Sequence, residues 1–399
     1  MRHRIGAGLS ATALLAATLG LSGQPAQAAA AGGWPEVGYD PGHSYYNPNE
    51  SLINASTLKK VKMRWQVTPT PPSDDCPFAP VQVGPVVAGG LTLTQDYKGL
   101  VARDSVTGQQ VWKTDDYIPD RTAHNVLVAG NTVIVTATER ECGIEGGESD
   151  GQIEAYDLMS GAHLWHAEDD TDANTVTVID GVVVVGGDNY ATDPLVTAYR
   201  LSDGVGVWSD GTNSDGARTL VSTIPINGGV LVNHYGHEIV LKDVHTGQER
   251  SSWPMTWQPL AATPTGDIVF VGDSSDWTLK AVRASDQRVL WSMDRVSNRV
   301  ATDGRRLYMG IGSNLEAYDS ATGRLLWSVK LGGRTGQPLR AGGLIYVSVA
   351  GKPVAIRNAS NGAKVRASTA LASVKHVEAV GGGHVYATIG TSWIGVYAP

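Results

Sequence analysis

An all-β fold, an eight-bladed β-propeller of four-stranded antiparallel blades closed by an N-terminal strand, is predicted for this 399-residue chain by three observations. A short unit recurs along it, the unit's large anchor residues fall at blade-length intervals, and further strand-like runs fill those intervals. In the unit a small residue is followed two positions on by Asp or Arg, then by Gly after four more and Trp after another four. The copies are Asp104/Gly108/Trp112, Asp157/Gly161/Trp165, Arg200/Gly204/Trp208 and Asp319/Gly323/Trp327. Three copies are worn. Asp243/Gly247 keeps the turn but Trp253 arrives two residues late, Arg283/Trp291 has Gln287 in place of Gly, and Arg357/Gly362 puts Arg366 where Trp would stand.

Each part of the unit has a physical job. A strand ending in a sequence such as Ala317-Tyr318-Asp319 meets a turn whose Gly supplies positive φ, while the Asp hydrogen-bonds the turn's backbone. The chain reverses into a second strand carrying a Trp, whose large apolar area suits the gap between neighbouring sheets. The anchors Trp65, Trp112, Trp165, Trp208, Trp253, Trp291, Trp327 and Arg366 lie 36 to 53 residues apart, the length of a propeller blade. Strand-like runs such as 125–129 with 132–137, and 175–179 with 182–186, bring each interval to four strands. After Arg366 only three runs remain, at 377–380, 384–389 and 393–398. The missing fourth is expected from 58–67, which carries Trp65, and closure of this kind leaves no open sheet edge.

The repeated Ala-x-Asp-x3-Gly-x3-Trp unit resembles the tryptophan-docking repeat of the pyrroloquinoline quinone (PQQ) propeller superfamily, which includes quinoprotein dehydrogenases and BamB-type outer-membrane assembly factors. The opening from Trp34 to Pro48, followed by Ile53, Asn54 and 58–65, is similar to the lead-in of such secreted proteins. The resemblance covers about residues 34 to 399 and implies the fold; activity needs a site of its own.

Taken in order, residues 1–28 read as a secretory signal peptide, with Arg2 and Arg4 at the front, an apolar run over 7–21 and Ala26-Gln27-Ala28 as cleavage site. Export into the extracellular space is therefore expected, without a lipid anchor, since no Cys lies near the cleavage site. No other stretch is apolar for the length of a membrane span. Residues 29–57 form a lead-in and 58–399 a single propeller domain, expected to be a monomer. The net charge of −8 argues against nucleic acid as a partner. The only cysteines, Cys76 and Cys142, fall on connections at one face of neighbouring blades, and an exported chain favours a disulfide between them.

In a propeller the mouth of the central channel is lined by the first residues of each innermost strand. Aligning the repeats places there Gln82 or Gly84, His124 and Asn125, Asn174 and Thr175, Arg218, Trp257 and Gln258, Asn298 and Arg299, Gln337, and Lys375 with His376. This ring is polar and largely cationic, a field that favours an anionic ligand. The resemblance implies PQQ, a flat tricarboxylate, with Ca2+ beside it and Trp257 as a stacking platform. Against this, the chain lacks the adjacent Cys-Cys pair and the Cys-x-x-Cys-His haem site of quinoprotein dehydrogenases. The acidic loop 139–150 lacks EF-hand spacing, and no zinc, nucleophile-elbow or phosphate-loop motif occurs, so no metal site is assigned. The favoured expectation is a non-catalytic module that binds a protein, peptide or small anion at the channel mouth. The alternative is a PQQ-dependent dehydrogenase acting on an extracellular alcohol or sugar.

Overall fold

The computed structural model describes residues 32–68, 84–96, 99–114, 121–139, 151–169, 173–187, 196–210, 219–226, 228–234, 238–294, 297–389 and 393–399. The expected signal peptide, Cys76, Cys142 and Arg218 lie outside these residues. Eight four-stranded sheets form the blades of an all-β propeller. The innermost strands of blades 1 to 8 are Val86–Ala88, Arg121–Ala129, Thr175–Ile179, Thr219–Ile226, Trp257–Ala262, Val300–Thr302, Thr335–Ala341 and His376–Gly381. Blade 8 is completed by Lys62–Val67, which runs antiparallel to Trp393–Ala398 with Lys62 opposite Ala398. That closing strand is shorter than the expected 58–67, because Leu58–Lys60 winds into a single 3-10 turn.

The repeat unit joins one blade to the next. Asp104 Oδ1 accepts bonds from the Thr107 N–H at 2.7 Å and hydroxyl at 2.8 Å, and Asp157, Asp243 and Asp319 hold Ser160, Thr246 and Thr322 in the same way. Gly108, Gly161, Gly204, Gly247 and Gly323 then take φ of 68–72°. A Cβ on Gly204 would lie 2.6 Å from the Trp165 ring of the preceding blade, and the other glycines stand equally close to theirs. Each indole N–H donates to a carbonyl in the next blade's turn: Trp65 to Ser105, Trp112 to Leu158, Trp165 to Leu201, Trp208 to Val244, Trp291 to Ser320 and Trp327 to Ala359. The Trp65 contact links blade 8 to blade 1 and closes the ring.

The worn copies have structural consequences. In blade 4 Ser251 stands opposite Leu241, the place where Trp112 faces Ala102 and Trp327 faces Ala317, and Trp253 sits two residues on, opposite Ile239. The turn it would dock on carries Gln287, held at φ 58° with its amide donating to Ser252 O at 3.0 Å. Trp253 is displaced into the core, edge-on to Trp257 at 6.0 Å, and its N–H has no partner among the described residues. Blade 7 has no Trp at all. Its outer position is reduced to an isolated Arg357/Lys364 bridge, and its fourth strand is Tyr46–Asn47, paired parallel to the inner edge at Thr335–Ala341. Ile53, Leu58, Val61, Leu371 and Val374 pack in one buried cluster with Tyr346, Tyr386 and Tyr397.

Residues 32–45 floor the channel. Gly32 O accepts from Gly382 N of blade 8, Trp34 pairs with Val87 of blade 1, and Pro35 O accepts from Val128 N of blade 2. Farther on, the carbonyls of Gly42, Ser44 and Tyr45 accept from Ala262 of blade 5, Thr302 of blade 6 and Arg340 of blade 7. All these contacts fall at or just past the C-terminal ends of innermost strands, so the lead-in circles the end of the channel opposite the mouth.

Gly343 also has positive φ (80°), but open space surrounds the position of its Cβ. Gly343→Ala is expected to lose about 1–2 kcal/mol from backbone strain alone. Gly204→Ala must also displace the Trp165 indole and is expected to lose about 3 kcal/mol or more. Equal losses in urea unfolding would show that the indole yields freely. Trp327→Ala is expected to lose about 3–5 kcal/mol by the same measurement, the usual cost of emptying a large aromatic site.

Candidate functional site

The innermost strands start at the open face and end on the lead-in, and two cavities lie along them. The wider is a cleft of about 590 Å³ over blades 6, 7 and 8. Arg299 stands just before the innermost strand of blade 6, Arg334 just before that of blade 7, and Lys375 and His376 at the start of that of blade 8. Lys352 opens the third strand of blade 7 and donates to Leu331 O at 2.9 Å. A Cβ on Gly336 would lie 2.0 Å from Ser348 Oγ, so a larger residue in this wall requires that hydroxyl to rotate away.

Positive charge dominates this cleft. His376 Nε2 lies 3.3 Å from Glu378 Oε2, and that bond raises the imidazole above its ordinary value. Burial pushes Glu378 up, but His376 and the Thr388 hydroxyl outweigh it and hold the carboxyl low. Among the described residues Arg299, Arg334, Lys352 and Lys375 have no carboxylate within ion-pair distance. Four uncompensated cations thus converge in a protein of net charge −8.

The second cavity, about 280 Å³, lies inside the channel against blades 2 to 5. Its walls carry Asn125, Thr175, Asn233 and Gln258 among apolar Val126, Leu127, Val176 and Ile224, and its floor carries Glu36 and His43 of the lead-in. Burial raises Glu36 well above the usual carboxylate range, with Asp40 adding to the effect. Burial likewise pushes His43 down to about 4 and Asp40 up to about 6, the latter against its bonds to Ser44.

The predicted mouth residues divide between these cavities. Arg299, Lys375 and His376 line the cleft; Asn125 and Gln258 line the channel cavity. Gln337 is spent on structure, its amide donating to Val300 O at 2.5 Å and Pro338 O at 3.0 Å. Trp257 is only 9% exposed, packed against Trp253 with its N–H on Asp273, so its ring lies in the core and offers no stacking face. The side chain of His124 lies outside the described residues, as does Arg218. Arg334, Lys352, Glu36 and His43 escaped the alignment of strand starts. In blade 7 the alignment fell on Gln337, two residues inside a strand that starts at Thr335, so it missed Arg334; Lys352 opens the third strand of that blade, and the other two belong to the lead-in.

These donors do not suit PQQ. The described channel lining presents a tricarboxylate with a buried carboxyl and amides but no cationic side chain, and the cations stand apart in the open cleft. Among the described residues no three His, Cys, Asp or Glu side chains gather as a metal site.

The sequence matches the profile of the family described as outer membrane protein assembly factor BamB over residues 59–293 and 275–388. No curated protein matches it. Among solved structures the chain is similar to BamB from Moraxella catarrhalis, with 16% identity, TM-score 0.58 and coverage of 85% of this chain and 100% of that one. It is also similar to the computationally designed Ika8 protein (12%, TM-score 0.61, 85% and 100%) and to the dihydro-heme d1 dehydrogenase NirN (12%, TM-score 0.58, 86% and 76%). At these identities the likeness establishes the fold alone.

The His376–Glu378 pair sets a pH window. The raised imidazole contributes stability that is complete below its unfolded value of 6.5 and lost as pH rises through the folded value. The depressed carboxyl contributes above its unfolded value of 4.5, and that part is lost as pH falls through the folded value. Glu378→Gln is expected to return His376 toward about 6.5, read by NMR titration of the imidazole. An unchanged His376 would show that the pair does not form in solution.

Proposed function

The chain belongs to the family of the outer membrane protein assembly factor BamB, and from that membership we propose that it is an exported, non-catalytic interaction module. It holds an acidic segment of a protein partner in the cleft at the channel mouth. One observation carries the reading: Arg299, Arg334, Lys352 and Lys375 converge there with no carboxylate to neutralise them among the described residues. A cationic cleft on an acidic chain steers anions to it, and guanidinium groups grip carboxylates in two-point geometry. The repeat's Asp side chains are occupied in holding the turns and its Trp side chains in joining blades, which suits a scaffold. The apolar leader over 7–21 supports export.

The test is calorimetric titration of the protein with an Asp/Glu-rich peptide, with PQQ plus Ca2+ in parallel. Saturable peptide binding that weakens steeply with salt is expected, as is its loss by about tenfold or more in Arg334→Ala/Lys375→Ala. Salt-insensitive binding, or full affinity in the double variant, would remove the cleft from the reading. Calcium-dependent saturation by PQQ would replace the module with a dehydrogenase.

A further inference from the structure

The channel cavity is separate from the cleft and carries chemistry of the opposite sign. Glu36 is half-buried on the cavity floor, where its side chain keeps accessible surface. Its carboxyl has no hydrogen-bond partner among the described residues, whereas the neighbouring Asp40 is satisfied by the Ser44 N–H at 3.0 Å and hydroxyl at 2.5 Å. Desolvation at this floor position disfavours the charged carboxylate, and a cation brought to it offsets that cost.

The walls select the same ligand. Both amide protons of Asn125 are spent, on Thr136 Oγ1 at 3.2 Å and Asn174 O at 2.9 Å, which leaves its carbonyl oxygen. The hydroxyl proton of Thr175 is likewise spent on Gly186 O at 3.0 Å, leaving lone pairs. Around these acceptors stand Val126, Leu127, Val176 and Ile224, and no Lys or Arg lines the cavity among the described residues. A space of about 280 Å³ sits at the small end of ligand pockets.

We propose that the channel cavity is a second binding site, for a small organic ammonium ion with an apolar body, in which Glu36 is the counter-ion and Asn125 and Thr175 accept the remaining N–H bonds. The ammonium group rests on the lead-in floor and the apolar body lies along the walls of blades 2 to 4. On binding, the carboxyl gives its proton to solvent and becomes the partner of the incoming charge. Glu36, Asp40 and His43 are the titratable groups of the floor, and His43, held neutral by burial, adds no competing positive charge. The site does not depend on the cleft or on an acidic partner.

Benzylamine and its neutral isostere benzyl alcohol are the probes, titrated calorimetrically into the full protein in two buffers of different ionisation enthalpy. Saturable binding of benzylamine with net proton release is expected, with benzyl alcohol weaker by about 30-fold or more. Glu36→Gln, which keeps the shape of the side chain, is expected to weaken the amine by a similar factor and to abolish proton release. Val37→Trp, an exposed floor position on the cavity, is expected to block it sterically with the melting curve unchanged. Arg334→Ala is expected to leave amine binding intact. Equal affinity for the alcohol, undiminished binding in Glu36→Gln, or no saturable binding of either probe would overturn the proposal.

Discussion

An indole lying flat on a glycine of the next blade is the contact on which this propeller depends. The glycine does two things at once: it takes the left-handed backbone that the turn needs, and it leaves no side chain between the turn and the ring. The indole N–H then satisfies a turn carbonyl, so a large apolar surface is buried without stranding its polar atom. Where the glycine is lost, at Gln287, the bond is lost as well, and Trp253 keeps its burial but not its hydrogen bond. Glycine and tryptophan are therefore coupled across the blade boundary, each of use only with the other.

That coupling explains how much of the fold could be read from the sequence. The spacing of Asp, Gly and Trp is local, so blade number and strand order follow from it directly, and Trp65 on an orphan strand betrays the closure. The lead-in does not repeat, and nothing in residues 32–45 announces that their carbonyls answer amides on six blades. Its role arises from partners up to 350 residues away, which no local pattern encodes. The site was legible to the same degree. Arg299, Lys375 and His376 followed from counting strand starts, whereas Lys352 and Glu36 reach the two cavities from the third strand of blade 7 and from the floor. Trp257 obeyed the count but turned into the core, where the displaced Trp253 offered it an aromatic neighbour.

The two cavities divide the channel by charge. Cations gather over blades 6 to 8, and the carboxyl of Glu36 sits on the floor against blades 2 to 5. An anion is drawn to the cleft by a standing positive field, whereas a cation at the floor meets a carboxyl that ionises as the cation binds. One scaffold can in this way present two sites of opposite preference along a single channel.

The lead-in has a kinetic consequence. Gly32 bonds to Gly382 and Lys62 pairs with Ala398, so the first described residues meet partners that leave the ribosome last. Such contacts carry the greatest loop-closure cost, and a chain rich in them folds late and slowly. The ring cannot close, nor the channel floor join its last blade, until blade 8 is available.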